Sequence, residues 1–249
     1  MTRTVKDAAL MLQVIAGYDP EDTSSTNMAV PDYAGTLAAR GSALRIGIPR
    51  AHFYEGLHPE IQATMNTALS TLGKLTANQS EVGIPVSNDA VDLIIKAEAY
   101  TYHREYITKT PELYQAETLK RIQRGAEVSM AAYVYGRRQL DQFRRSVHKV
   151  FDAADLLVTP TTPVPPSTIS ELLADLDNLR TKELLTLRNT RPFNLLGLPT
   201  ISVPCGFTSK GLPIGMQITG PPWSEATVLR LACAYEQATD WHKRKPSLG

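Results

Sequence analysis

Phe193–Gly206 reads FNLLGLPTISVPCG and Pro213–Pro222 reads PIGMQITGPP. Each is a short apolar run fenced by proline and glycine, with little alternation of apolar and polar residues, the pattern of a strand buried on both faces. Between them lies FTSKGLP, residues 207–213, too short for a crossover helix. The two strands are therefore expected to pair antiparallel. Moving outward, ADLLVTPTTPVPP (154–166) gives a third buried strand that runs into a proline-rich loop, where neither a helix nor a central strand continues. LRIGIPR (44–50) and EVGIPV (81–86) read as two further strands.

Amphipathic helices alternate with these strands. Val5, Ala8, Ala9, Leu12 and Ile15 share one face of a first helix, with Thr4 and Asp7 spaced as a capping pair and Gly17 available to end it. HPEIQATMNTALSTLGKL (58–75) has Pro59 in its first turn and an inward stripe of Ile61, Met65, Ala68, Leu69 and Leu72. From Asn88 to about Ala154 the chain reads as mostly helical, with Gly125 and Gly136 as possible breaks. A short polar helix is expected around Glu171–Leu187. Ser224 is placed to cap a last helix bearing Val228, Leu231, Ala232 and Tyr235 on one side. The sum is an α/β fold: a mixed sheet with helices on both faces, in one domain spanning 1–249 with the helical segment 88–154 inside it.

Composition narrows the function classes. Lys plus Arg is 26 against 25 for Asp plus Glu, with no basic stripe beyond HKRKP at the tail, so phosphate-driven nucleic-acid binding is not expected. No apolar run reaches membrane-spanning length, and the N-terminus lacks the order of a signal peptide, so no membrane partner is expected. Two isolated cysteines, Cys205 and Cys233, make no disulfide framework or zinc knuckle, and free thiols point to the cytoplasm.

Self-sufficient chemical motifs are absent. There is no G-x-x-x-x-G-K-[ST], no G-x-G-x-x-G and no G-x-S-x-G. The five histidines (His52, His58, His103, His148 and His242) form no metal-binding spacing, so neither metal nor cofactor is expected. Cys205, at a strand end, is either a thiol nucleophile or a small buried residue, and its chemistry favours the second. Ser24–Ser25 reads as turn formation, and Asp152 with Asp155 as a solvated helix end.

Four phrases nevertheless occur together in a telling order: MTRTVKDAALMLQVIAGYDPEDTSS, DLLVTPTTPVPP, RPFNLLGLPTISVPCG with GLPIGMQITGPP, and AYEQATDWHKRKP. In that order they resemble the amidase signature family, from Thr2 to about Leu248. The resemblance implies hydrolysis or transfer of amides on a mixed α/β sheet. It also implies a serine nucleophile, a second serine in a cis peptide and a neutral lysine that relays the proton. Those serines belong to a motif of the form GGSSGGS, which does not occur here, and Lys6 lies in the helix that follows that motif in the family. No catalytic residue is therefore assigned. The chain is expected to be the C-terminal half of an amidase, its partners a small amide substrate and the missing N-terminal half, and the isolated half is expected to be inactive.

For substrate binding the resemblance points to three positions. Thr161, in the proline-rich loop, lies where a rigid pocket wall is built, and a plain connection is the competing reading. Arg121, in KRIQRG, falls where the A component of the glutamyl-tRNA(Gln) amidotransferase places an arginine, and a surface helix arginine is the alternative. Leu187 falls where that component has an aspartate. An aliphatic side chain does not pair with an ammonium, so LRNTRPFNLLGLP reads as closer to the broad-specificity amidases. Asn194 is read as a structural hydrogen-bonding residue. A non-catalytic binding or scaffold module, and a part of a tRNA-dependent amidotransferase resembling that A component, stand as alternatives.

Overall fold

In the computed structural model, which describes residues 1–38, 43–86 and 89–245, five strands form one mixed sheet in the order β2-β1-β3-β5-β4. The strands are β1 (Arg45–Ile48), β2 (Asn78–Glu81), β3 (Leu156–Pro160), β4 (Thr200–Phe207) and β5 (Pro213–Thr219). β1 pairs parallel with β2 and β3, whereas β5 pairs antiparallel with both β3 and β4. The short 207–213 connection allows only that hairpin, as expected.

The chain divides into two units, one of residues 1–84 and 149–249 that holds the sheet, and one of residues 85–148. In the sheet unit, β3 is buried along its whole length, and Ile46, Leu156, Met216 and Ile218 are completely enclosed. Helix α2 (Pro59–Gly73) buries the five residues of its predicted stripe. Helix α9 (Glu225–Gln237) buries Val228, Leu231, Ala232 and Tyr235. Both helices cover the sheet face that carries Ile214, Met216 and Ile218. Gly206, paired with Ile214, abuts Thr64 of α2, and Gly220, beside Leu156, abuts Val228 of α9.

The opposite face is chemically different. Across β5 the residues alternate as Ile214, Met216, Ile218 on one side and Gly215, Gln217, Thr219 on the other, and β4 adds Thr200 and Ser202 to the second set. The two strands are thus not apolar on both faces as expected. They alternate: on the polar side Gln217 and Thr219 are buried and hydrogen-bonded, while Thr200 and Ser202 are exposed.

Several elements differ from the sequence expectation for identifiable reasons. Phe193–Leu196 belongs to helix α8 (Arg191–Leu196), not a strand: Pro192 sits in its first turn and Gly197, at φ 67°, terminates it in the left-handed region. β2 is the polar Asn78–Glu81 rather than Glu81–Val86, because an edge strand needs one hydrogen-bonding neighbour and no apolar content, while Pro85 cannot donate. The single helix at Glu171–Leu187 is two, α6 (Ile169–Leu173) and α7 (Leu179–Leu187), the first closed by a capping box of Thr168 and Glu171. Ser224 occupies the N-cap position of α9, but its hydroxyl donates to the Pro221 carbonyl at 2.6 Å instead of accepting from the helix. In helix α1 (Val5–Ile15), Thr4 does accept from the Asp7 N–H, Val5 and Ala9 are buried, and Ile15 points to solvent.

The second unit comprises α3 (Asp89–Lys109), α4 (Ala116–Gln123) and α5 (Met130–Val147). Gly125 does mark a break, a 3-10 turn at Arg124–Glu127. A Cβ there would clash with the Lys96 carbonyl of α3 and lie 2.6 Å from Tyr100 Cβ. Gly136, by contrast, is buried within an unbroken α5. Asn88 and the tail residues Pro246 and Leu248 lie outside the described residues. Among those described, no helix is long and apolar enough to cross a membrane.

Candidate functional site

The C-terminal end of β3 delivers the chain into Thr161–Pro166. Four prolines between 160 and 166 remove backbone donors, so the loop holds its shape through what remains. The Thr161 N–H donates to the Gly215 carbonyl at 2.9 Å, and the Pro163 carbonyl accepts from the His58 N–H at 2.9 Å. One strand over, Gly215 of β5 carries no side chain, and beyond it Ser202 projects from β4. The hydroxyls of Thr161 and Ser202 meet at 2.7 Å over that glycine. A Cβ on Gly215 would stand 2.7 Å from Thr161 Oγ1 and 2.9 Å from Ser202 Oγ. The glycine is what permits the pair.

These three residues border a recess of about 560 Å³, walled by Val164, Pro166, Pro204, Pro213 and Ile214 and reached by Thr186 of α7. Its volume falls in the range of small-molecule sites, roughly 300–1,000 Å³.

Beneath the recess runs a buried polar network that fixes its floor. Asn189, between α7 and α8, is wholly buried and donates through Nδ2 to the carbonyls of Phe53 (3.0 Å) and Pro160 (2.9 Å). Gln217 Nε2 donates to Thr159 Oγ1 (3.1 Å) and to the Asn189 carbonyl (3.2 Å). Arg188 donates to Asn189 Oδ1 (3.2 Å) and to the Glu55 carbonyl (2.7 Å), and burial pulls its guanidinium below its ordinary value. Phe53 and Phe193 stack with centroids 5.1 Å apart on the same floor. Leaving any of these buried carbonyls without a donor would cost on the order of 1–3 kcal/mol, so the network holds the end of β3 in one geometry.

The positions expected from sequence separate. Thr161 lies on the recess. Leu187 is the last residue of α7, partly exposed and beside the lining residue Thr186 rather than on the lining itself. Arg121 is exposed in the last turn of α4, in the other unit. Asn194 is exposed; the buried asparagine is Asn189, five residues earlier. Ser202, Gly215, Asn189 and Gln217 carry no motif that singles them out in the sequence. The alternation of Ser202 and Gln217 with their apolar neighbours was the available signal.

Other candidates resolve into structure. Cys205 Sγ donates to the Ile214 carbonyl at 3.4 Å, and burial pushes its thiol up to about 12, so it stays protonated at neutral pH. Ser24 folds back on Asp22, and Ser25 Oγ accepts from the Asp19 N–H. Asp155 is no solvated helix end: it binds the backbone N–H of Arg45 (2.7 Å) and its guanidinium (2.8 Å), and the hydrogen bond from Arg45 holds its carboxyl below the ordinary carboxylate value. Among the described residues, no group of three or more His, Cys, Asp or Glu is placed to hold a metal ion.

Known proteins share this sequence pattern and fold. A family model described as Amidase matches residues 1–229. An amidase of Pseudomonas putida is 37% identical over 254 residues, covering 100% of this chain and 54% of that protein. The A component of the glutamyl-tRNA(Gln) amidotransferase of Geobacillus thermodenitrificans is also 37% identical, over 275 residues, covering 100% of this chain and 56% of that one. Among solved structures, 6-aminohexanoate cyclic dimer hydrolase superposes with a TM-score of 0.85 at 26% identity, over 99% of this chain and 56% of its own. The chain therefore spans about half the length of the relatives it matches.

Proposed function

Because the chain belongs to the amidase family, matching its model over residues 1–229, we propose that these 249 residues are the C-terminal portion of one amidase domain and wall the pocket of an enzyme that cleaves a carboxamide C–N bond. The observation that carries this role is the rigid recess at Thr161, set at the end of β3 and held by the Asn189–Gln217 network. In the proposed reaction a serine hydroxyl attacks the amide carbonyl. Its proton passes through a second serine to a neutral lysine and on to the departing amine as the C–N bond breaks. Water then hydrolyses the acyl ester. A weak nucleophile is activated by a relay, and backbone donors stabilise the oxyanion. These groups come from outside the present sequence. Its own residues hold the acyl portion: Thr161 and Ser202 meet its polar end, and Val164, Pro166 and Pro204 wall its hydrocarbon part.

A second reading, the A component of a tRNA-dependent amidotransferase, is favoured by the equal identity to the Geobacillus protein. Leu187 in place of an acidic residue weighs against glutamine as its substrate. The test is ammonia release by the protein expressed from its whole reading frame. Release from simple carboxamides, but not from glutamine, is expected. Release from glutamine alone would favour the second reading, and release from neither would end both.

A further inference from the structure

A second recess, of about 540 Å³, shares no lining residue with the one at Thr161. Helices α2 and α9 and the 3-10 turn Trp241–Lys243 border it, through Thr67, Thr71, Thr239, Trp241 and Arg244 among others. The Arg244 guanidinium lies 4.9 Å from the Phe207 ring centroid and 5.6 Å from that of Trp241. Two aromatic contacts hold the planar fork, and its N–H groups, directed outward in the guanidinium plane, remain donors. The backbone fixes the residue as well. Its N–H donates to the Trp241 carbonyl, and its own carbonyl accepts from Arg3 Nη2 at 2.8 Å, which brings a second cation to the turn. Lys243 pairs with Asp240 at 2.5 Å, so those two charges cancel and Arg244 sets the sign of the recess.

The hydroxyls on the same lining have the reverse character. Thr67 donates to the Ala63 carbonyl (3.2 Å), Thr71 to the Thr67 carbonyl (3.2 Å) and Thr239 to the Tyr235 carbonyl (2.9 Å). With its one proton committed to the preceding helical turn, each oxygen offers a ligand only lone pairs. We infer that this recess binds a small hydroxylated oxyanion, its carboxylate or phosphate gripped by the Arg244 fork and its hydroxyls donating to the threonines. A guanidinium edge gives an oxyanion two parallel N–H bonds. A hydroxylated body supplies the protons that the threonine oxygens lack. The volume suits a ligand of metabolite size.

The test is calorimetric titration of the protein expressed from its whole reading frame with glycerol 2-phosphate, lactate and glycerol. One or both anions are expected to bind, more weakly as salt is raised, and glycerol is not. Binding of glycerol 2-phosphate alone identifies a phosphate ligand and of lactate alone a carboxylate, and either supports the inference. Arg244→Gln should weaken anion binding about tenfold or more, and Arg244→Lys, which keeps the charge without the fork, should weaken it too. Thr67→Val combined with Thr71→Val should weaken the hydroxylated anion about three- to tenfold while leaving methyl phosphate and acetate unchanged, a split that a folding defect does not produce. Binding of neither anion, glycerol binding as tightly as the anions, or unchanged affinity in folded Arg244→Gln and Arg244→Lys proteins would overturn the inference. Ammonia release bears on the Thr161 recess alone, so the two readings fail separately.

Discussion

The two units of the chain treat polarity in opposite ways. In the sheet unit, three polar side chains are buried and hydrogen-bonded: Asn189, Gln217 and Thr159 tie the end of β3 to the 51–56 loop and to the α7–α8 junction. In the helical unit, His103 and Tyr114 meet at 2.8 Å only partly buried, and other polar pairs lie on the surface. Half-buried Tyr133 donates to exposed Glu98 at 2.8 Å with Arg137 nearby, and Lys109 pairs with Glu105, both exposed. Tyr102, Met130 and Tyr135 are exposed beside them. A buried network has no water to replace a lost partner, whereas a surface pair exchanges its partner for solvent at little cost. The first arrangement specifies geometry, and the second leaves it adjustable.

Four substitutions probe this contrast, ordered by expected effect. Asn189→Ala strands the Phe53 carbonyl in the interior and leaves the Pro160 carbonyl only the 3.5 Å contact from Gln217, and should lower stability by about 2–3 kcal/mol. Urea unfolding of the intact protein measures it, and amide hydrogen exchange should show the loss localised to β3 and its neighbours. A cost near zero would mean that water satisfies the site and that the contrast fails. Gly125→Ala tests the helical unit at its tightest point, where the new methyl meets the Lys96 carbonyl. Overpacking there should cost about 1–3 kcal/mol, with faster exchange in α3. If it costs more than Asn189→Ala, rigidity is not confined to the sheet unit.

Asp155→Asn sharpens the pH side. The Asp155 carboxyl is held below its ordinary value by the Arg45 hydrogen bond. Its contribution is therefore present above the ordinary carboxylate value, near 3.8, and is lost as pH falls through the lowered one. The wild type should lose more stability than the variant between about pH 5 and pH 2, by less than about 1 kcal/mol since the pair is partly exposed. Parallel acid-unfolding curves would show that the Arg45–Asp155 pair carries no such linkage. Tyr133→Phe should be the mildest, within about 0.5 kcal/mol. A larger loss would show that the surface pair is structural after all.

The legibility of the sequence follows the same divide. Strong helical stripes such as Ile61-Met65-Ala68-Leu69-Leu72 carried over to the fold intact, because periodic burial is a local property of the chain. The β4–β5 hairpin did too, since the short 207–213 segment leaves one way to pair. The helix α8 was hidden by its apolar content, although Pro192 and Gly197 marked its two ends. Thr161, in the proline-rich loop that the sequence singled out, borders the recess. Its partner Ser202 lies 41 residues away in sequence and meets it only because β5 inserts between β3 and β4 with a glycine at the crossing point.

The sequence by itself determined the family, the mixed α/β class and the absence within it of the paired-serine motif, because these rest on local pattern and on residues present or missing. Only the tertiary structure decided which polar residues are buried, which meet, and which of the three expected positions lies on the recess. Strand order and register are set by the whole sheet, and a hydroxyl pair across three strands has no signature in any one of them.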